Sequence, residues 1–264
     1  DYHRELVDSP LLLVGGHYEM DFADMEEKIR DRKVKLFLLC SPHNPVGRVW
    51  TEEELCRVGD LCVRYGVTVV SDEIHSDFVW NGHTHHVFAS LSPAYADISV
   101  TCTAPSKTFN LAGLQISNIF TPNPVLRQKL KKEIDAAGYS QVGLMGLVAC
   151  QAAYEEGEEW LSQLKAYLSE NLNTVREFVR TRLNGVTLIE PEGTYLLWLD
   201  FRALHLSNEE LEDLIINRAN LWLDSGSMFG PVGEGFERIN MACPRSVLLQ
   251  ALTQLEQALN ARLQ

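Results

Sequence analysis

The stretch from residue 34 to residue 71 reads VKLFLLCSPHNPVGRVWTEEELCRVGDLCVRYGVTVVS and decides the fold class. Its ends, Val34 to Cys40 and Val67 to Ser71, are short apolar runs rich in branched residues, which is typical of strands buried on both faces of a parallel sheet. Between them, Thr51 to Glu54 has the pattern of a capping box, and Gly66 is placed to end the helix. Strand, helix and strand in this order predict a right-handed crossover unit.

The following segments extend this unit into an open α/β sheet. Ile98 to Cys102 is a third candidate strand, and Gln115 to Phe120 is a fourth. Asn123 and Pro124 then form a cap and a first-turn proline, which predict a basic helix that ends near Glu133.

The second half of the chain has a different pattern, which predicts a second lobe. A long helix is predicted from Glu158 to Leu183, and a helical pattern already begins at Gln141. Further elements are predicted as strands at Val186 to Ile189 and Tyr195 to Phe201, and as helices at Ser207 to Asn217 and Val247 to Leu263. We therefore predict a large domain over residues 1–155, a connecting helix over 156–183 and a small α+β domain over 184–264.

The amino-acid composition argues against some classes of function and indicates a cellular compartment. The 36 acidic and 23 basic residues give a formal charge of −13, which argues against a nucleic-acid partner. The six cysteines contain no CxxC pair, so a reducing cytoplasm is the expected location. No apolar run approaches the ~18 residues of a membrane span, and no signal-peptide pattern is present.

Three polar residues follow the predicted strands at one edge of the sheet. They are Asn44, Asp72 and Lys107, and in open α/β sheets ligands bind at the carboxyl ends of the strands. A lysine amine can form a Schiff base, and a carboxylate can keep a heterocyclic nitrogen protonated so that the ring accepts electrons. These are the requirements of pyridoxal phosphate.

Four sequence blocks in this order resemble the signatures of fold type I, class I/II aminotransferases. The blocks are SPHNPVG (Ser41–Gly47), DEIHSD (Asp72–Asp77), SKTFNLAGL (Ser106–Leu114) and FERINMACPR (Phe236–Arg245). DEIHSD is most similar to the MalY/PatB-like carbon-sulfur lyase branch, which includes cystathionine beta-lyases. The resemblance implies a transferase-like α/β fold, with a mostly parallel sheet covered by helices on both faces and a smaller α+β carboxyl-terminal domain. It also implies a homodimer.

The resemblance also implies a role for individual residues. Lys107 would bond covalently to the cofactor, and Asp72 would pair with the pyridine nitrogen. Asn44 and His75 would contact the phenolic oxygen of the cofactor. Arg238 would bind the α-carboxylate of an amino-acid substrate, a role that suits a planar bidentate donor.

The chain departs from the family pattern where the cofactor phosphate binds. Eight positions after Lys107 the family usually has a basic residue, but this chain has Gln115. Three positions before Lys107 the family usually has a serine, but this chain has Ala104. Ser106 and Thr103 are the hydroxyls left for this role. The family also has a long preceding segment with a glycine-containing phosphate loop and a stacking aromatic residue, so the chain is expected to be the carboxyl-terminal two-thirds of a longer enzyme.

Three functions follow as hypotheses. The leading one is a pyridoxal-phosphate carbon-sulfur beta-lyase that cleaves cystathionine, cysteine or a related S-substituted amino acid. The second hypothesis is an aminotransferase, which shares the removal of the α-proton and differs in returning a proton to the cofactor carbon. A catalytically silent protein on the same scaffold is the third hypothesis, and it rests on Ala104, Gln115 and the absent amino-terminal region.

Several local features have competing interpretations. Arg245 competes with Arg238 for the carboxylate role, although Arg238 matches the family position. The cluster from His83 to His86 is interpreted as a solvated loop rather than a zinc site. The glycine-rich segment 226–235 is expected to form a flexible loop that leads to Arg238 and closes over substrate. Trp198 and Trp222 are expected to pack in the core or between the lobes. Tyr195 either lines the substrate site or packs in the core, and the sequence leaves both open.

Overall fold

A computed structural model describes residues 4–80, 82–139 and 141–262. The chain divides into two compact units. Unit 1 contains the described residues up to His43 and those from Arg48 to Leu161, and unit 2 contains Asn44–Gly47 and the chain from Ser162 onward.

Unit 1 is an α/β unit built on a four-stranded sheet. Its elements are β1 (Leu12–Val14), β2 (His17–Glu19), α1 (Phe22–Asp31), β3 (Leu36–Cys40), α2 (Glu52–Tyr65), β4 (Thr68–Asp72), α3 (Pro93–Asp97), β5 (Ser99–Thr103), α4 (Pro105–Thr108), β6 (Asn118–Phe120), α5 (Pro124–Ala136) and α6 (Leu144–Glu156). The sheet order is β3-β4-β5-β6, where β3, β4 and β5 are parallel and β6 is antiparallel. The three parallel strands therefore end at one edge, as the sequence predicts.

The helix between β3 and β4 forms for the reasons that its sequence indicates. Thr51 and Glu54 make both hydrogen bonds of a capping box, and Gly66 adopts φ +66° to end α2. The apolar stripe of α2, including Leu55 and Val58, is fully buried in the core of unit 1 with Val69 of β4. This burial is the main term that holds α2 against the sheet.

Two parts of unit 1 differ from the sequence prediction. β6 begins at Asn118 rather than Gln115, because Gln115 adopts a left-handed φ of +50° and its N–H bonds to Ala112 O. The β1–β2 hairpin and α1 were not predicted. Gly15 and Gly16 make the hairpin turn, both at positive φ, and Asp21 caps α1.

Unit 2 contains a four-stranded antiparallel sheet with helices. Helix α7 (Glu158–Arg182) begins in unit 1 and continues into unit 2, and the further elements are β7 (Thr187–Ile189), β8 (Leu196–Asp200), α8 (Asn208–Glu212), β9 (Asp224–Ser225), β10 (Phe236–Asn240) and α9 (Arg245–Arg262). The sheet order is β7-β8-β10-β9. Trp198 stacks on Phe236 with ring centroids 5.1 Å apart, which confirms its predicted core position.

The predicted helices of unit 2 are present with altered details. Ser207 and Glu210 form the predicted capping box, but after Glu212 the helix continues as a π-helical turn over Asp213–Arg218. Leu263, the predicted last residue of the final helix, lies outside the described residues. None of the helices in the described ranges is long and apolar enough to cross a membrane.

Candidate active site

Asp72 and Lys107 follow neighbouring parallel strands of unit 1. Asp72 ends β4 and is in register with Cys102 of β5, and Lys107 lies on α4, five residues after Cys102. Asp72 Oδ1 accepts the N–H of Ile74 at 3.2 Å. Within the described ranges, no donor reaches Asp72 Oδ2 and no acidic group pairs with Lys107. Both side chains are half-buried, so each can engage a polar ligand without breaking an existing ion pair.

The sequence blocks that contain these two residues are linked directly. Thr108 Oγ1 donates to Asp77 Oδ2 at 2.6 Å, which joins the turn after β4 to α4. His75 lies in that turn with only 3% of its surface exposed, and Ser106 is half-buried on α4. The Thr108–Asp77 bond was not predicted, although both residues lie inside the quoted blocks.

Glu73 ties the same turn to a more distant loop. Its carboxylate, which is 1% exposed, accepts from Ser71 Oγ at 2.8 Å and from Phe88 N at 3.2 Å. It also contacts His85 Nε2 at 2.9 Å. The prediction of a solvated histidine loop is therefore wrong at His85, whose side chain is only 10% exposed.

The other two predicted site residues, Arg238 and Asn44, lie together in unit 2. Arg238 Nη1 donates to Asn44 Oδ1 at 2.7 Å, so two of the predicted site residues are in direct contact. Arg238 also donates through Nε, at 3.2 Å, and through Nη2 to Oδ2 of Asp224. The Arg238 Cζ lies 5.0 Å from the centre of the Phe229 ring. Burial raises the pKa of Tyr195, and the charge of Arg238 partly opposes that rise.

The competing arginine, Arg245, is held elsewhere in unit 2. Its Nε donates to Asn171 Oδ1 at 3.1 Å and its Nη2 to Glu170 at 2.7 Å. The guanidinium also lies over the Tyr167 ring, with Cζ 4.9 Å from the centroid. These contacts join α7 to the start of α9, which gives Arg245 a structural use.

A cavity of about 270 Å³ borders the Asp72 and Lys107 segments inside unit 1. Its lining residues are Glu73, Ser76, Asp77, Thr103, Ala104, Asn118, Phe120 and Tyr154. Burial, followed by the nearby Cys150, raises the pKa of Tyr154, while hydrogen bonds from the Asn118 and Thr103 side chains oppose the rise. The hydroxyl of Tyr154 is therefore protonated at neutral pH and can donate a hydrogen bond.

His43, which precedes Asn44, is uncharged at neutral pH. Burial of the ring, with a smaller contribution from the positive charge of Arg48, lowers its pKa to about 4. The ring packs edge-on against Trp50 at 5.7 Å between centroids. His43 therefore adds no positive charge to the block SPHNPVG at neutral pH.

One prediction about unit 2 is wrong. Trp222 is 87% exposed and belongs to no core. The glycine-rich segment is closely packed at one point, because a Cβ on Gly226 would lie 1.9 Å from Gly233 O, and its flexibility and closure over substrate stay predictions. Two short 3₁₀ turns, Gly226–Phe229 and Pro231–Gly233, are pressed together there.

Comparison with known proteins gives consistent results. The family described as "Aminotransferase class I and II" matches residues 11–255. Cystathionine beta-lyase PatB of Bacillus subtilis is 45% identical over 97% of this chain and 66% of its own length. The crystal structure of cystalysin from Treponema denticola, which contains pyridoxal 5'-phosphate, superposes with a TM-score of 0.96 at 39% identity, over 98% of this chain and 66% of cystalysin. The pyridoxal-phosphate-bound C-S lyase of Staphylococcus hominis superposes with a TM-score of 0.88 at 36% identity, over 96% of this chain and 64% of that lyase.

These matches confirm the predicted fold class. The chain spans just under two-thirds of the length of the relatives that it matches.

Proposed function

Since this chain belongs to the class I and II aminotransferase family, we propose that the protein is a pyridoxal-phosphate-dependent carbon-sulfur beta-lyase. Its substrate would be cystathionine, cysteine or a related S-substituted amino acid, and its products pyruvate, ammonia and a thiol. The observation that carries the proposal is the placement of Asp72 and Lys107 after neighbouring parallel strands, each half-buried. The similarity to cystathionine beta-lyase PatB and to the C-S lyase structure supports the choice of a lyase.

Lys107 and Asp72 fit the reactive end of the cofactor. When bound, pyridoxal phosphate supplies an electron-accepting ring that stabilises negative charge on the α-carbon of the substrate. The Lys107 amine would hold the cofactor and, once released to the free amine, accept the α-proton. Asp72 Oδ2 would keep a proton on the pyridine nitrogen, since Oδ1 already accepts from Ile74 N.

Asn44 and Arg238 would hold the other polar groups. Asn44 Oδ1 accepts from Arg238, and Nδ2 is the donor atom of this side chain, which would donate to the phenolic oxygen. His75, buried in the turn after β4, is the second candidate for that oxygen. Arg238 would bind the α-carboxylate through its planar guanidinium and so orient the substrate.

The phosphate end is supported by fewer residues of this chain. Ser106 and Thr103 offer hydroxyls, and Ala104 and Gln115 stand where the family usually has a serine and a basic residue. We propose Ser106 as a phosphate ligand. Its hydroxyl can donate one hydrogen bond, which is weaker than the contact of a cationic side chain.

The decisive experiment supplies the full-length protein with pyridoxal phosphate and measures pyruvate from L-cystathionine and from L-cysteine. Pyruvate should form with both or either, and Lys107→Ala should remove it. Lys129→Ala, which changes an exposed lysine of α5, is the matched control and should retain full activity. No pyruvate from either substrate would reject the lyase.

Two further readouts separate the competing functions. Formation of a new amino acid only when a keto-acid acceptor is added, without pyruvate, would assign an aminotransferase, which the family match favours as the second candidate. Borohydride treatment followed by mass analysis should fix the cofactor on Lys107. A protein that takes up no cofactor under these conditions would be catalytically silent.

The assembly and location are also proposals. We propose a homodimer, because the first two turns of α6, residues 144–150, are apolar on all sides yet leave Leu144, Met145 and Val148 more than half exposed. Such a helix is normally buried. The six cysteines are all free thiols, which supports a reducing compartment such as the cytoplasm.

A further inference from the structure

Asp224 is a charged neighbour of Arg238 to which the proposed chemistry gives no role. The two residues face each other across the antiparallel β9–β10 pair. Such cross-strand neighbours have Cβ atoms about 5 Å apart, so the backbone keeps the two side chains together. Arg238 is 17% exposed and Asp224 is 40% exposed. The ion pair is therefore partly desolvated on the arginine side.

The contacts of Arg238 occupy one specific edge of its guanidinium. A guanidinium carries five N–H donors in a plane, with a side edge formed by Nε and one Nη and an end edge formed by the two Nη atoms. A single oxygen of Asp224 accepts from Nε and Nη2 and so fills the side edge. Asn44 Oδ1 accepts one N–H of Nη1, and Phe229 lies against the guanidinium. One N–H of Nη2 and one of Nη1 remain, and the Nη2 donor points from the end edge.

We propose that Asp224 is a positioning residue that reserves the side edge of Arg238 and restricts a substrate α-carboxylate to the end edge. This inference rests on the proposed role of Arg238 in binding that carboxylate. Two carboxylates would then share one guanidinium, and each weakens the attraction of the other. Asp224 thereby lowers the affinity of Arg238 for the α-carboxylate and limits the bound substrate to a single orientation.

These two effects predict opposite changes in affinity and turnover. Without the Asp224 carboxylate, a small anion should bind Arg238 about tenfold more tightly, since the competing charge is gone and two edges are available. The same freedom allows orientations in which the α-proton is misplaced, so kcat should fall by about tenfold while KM also falls. General damage to unit 2 would instead weaken binding.

The test uses propionate, a carboxylate that cannot react, titrated by NMR into the protein and its Asp224→Ala and Asp224→Asn variants. Both variants should bind propionate more tightly than the unchanged protein. Asp224→Asn keeps an oxygen acceptor on the side edge and removes only the competing charge, so its gain should be smaller than that of Asp224→Ala, and it also serves if Asp224→Ala does not fold. Glu190→Ala removes a comparable exposed carboxylate that pairs with Arg176 in unit 2, and it should leave the affinity unchanged. In the cofactor-loaded full-length protein, kcat and KM for cysteine should fall together.

One further variant separates this inference from the proposed function. Arg238→Ala should abolish propionate binding, and its failure to do so would reject the carboxylate role of Arg238 itself. If Arg238→Ala abolishes binding while both Asp224 variants bind propionate as before or more weakly, Asp224 reserves no edge and the inference is overturned.

Discussion

Glu237 shows how one side chain on β10 makes stability depend on pH. It is 2% exposed, and burial, followed by the nearby carboxylates of Glu212 and Asp224, raises its pKa to about 8. In the unfolded chain the group has its ordinary pKa near 4.5. Between these two values the folded protein holds a proton that the unfolded chain releases, so the free energy of unfolding falls as pH rises.

We predict that Glu237→Gln flattens this part of the pH profile. The contribution of one such group reaches about 1.4 kcal/mol per pH unit between pH 5 and 8, and it levels off above pH 8. The variant should therefore be more stable than the unchanged protein at pH 8, by urea denaturation followed by circular dichroism. Glu234→Gln, on an exposed carboxylate nearby, should retain the slope. Parallel profiles for the protein and Glu237→Gln would contradict the assignment.

The placement of some site residues could be predicted from the sequence, and the contacts of others could not. Chain order places Asp72 and Lys107 after adjacent strands, because parallel strands bring their carboxyl ends to one edge. The pairing of Arg238 with Asp224 depends on the register of β10 against the two-residue strand β9, and so short a strand carries no periodic signal. Glu73 was not predicted because its partners, Phe88 and His85, lie in a loop without a repeating pattern.

At the scale of elements, long and capped segments were predictable and short ones were not. α2 has a capping box, an apolar stripe and a terminal glycine, which all indicate one helix. The β1–β2 hairpin was missed although the apolar run of residues 11–14 is followed by Gly15 and Gly16, and a glycine pair is a recognised hairpin-turn signal. The π-helical turn after Glu212 has no comparable signal, since its sequence continues a normal helical pattern.

The paired 3₁₀ turns of unit 2 give a prediction about packing. Gly226 and Gly233 approach so closely that a methyl group on Gly226 would overlap the Gly233 carbonyl, a backbone atom that cannot rotate away. Gly226→Ala should therefore lower the free energy of unfolding by about 3 kcal/mol. Gly143→Ala is the matched control, because a Cβ there meets no atom within 4 Å. Equal thermal midpoints for the two variants would show that the turns are loosely packed after all.

At the scale of the whole molecule, the four sequence blocks are distributed over both units. DEIHSD and SKTFNLAGL lie in unit 1, and FERINMACPR lies in unit 2 with Asn44–Gly47 of the first block. The assignment of Asn44–Gly47 to unit 2 follows from its contacts: Glu192 N and Gly193 N both donate to Gly47 O, at 2.8 and 2.9 Å. The sequence predicted two lobes, but it gave no sign that a four-residue segment of the first half packs with the second.

The assembly of the molecule is tested through α6, the apolar helix with an exposed surface. If this surface is the contact between two copies, a charge placed on it must be desolvated on association, at a cost of several kcal/mol. Met145→Glu combined with Val148→Glu should convert a full-length dimer to a monomer, measured as a halved mass by light scattering. Val125→Glu changes an equally exposed apolar residue of α5 and should leave the dimer intact. A double variant that keeps the dimer mass would exclude α6 from the interface, and dissociation by both changes would indicate general loss of stability instead.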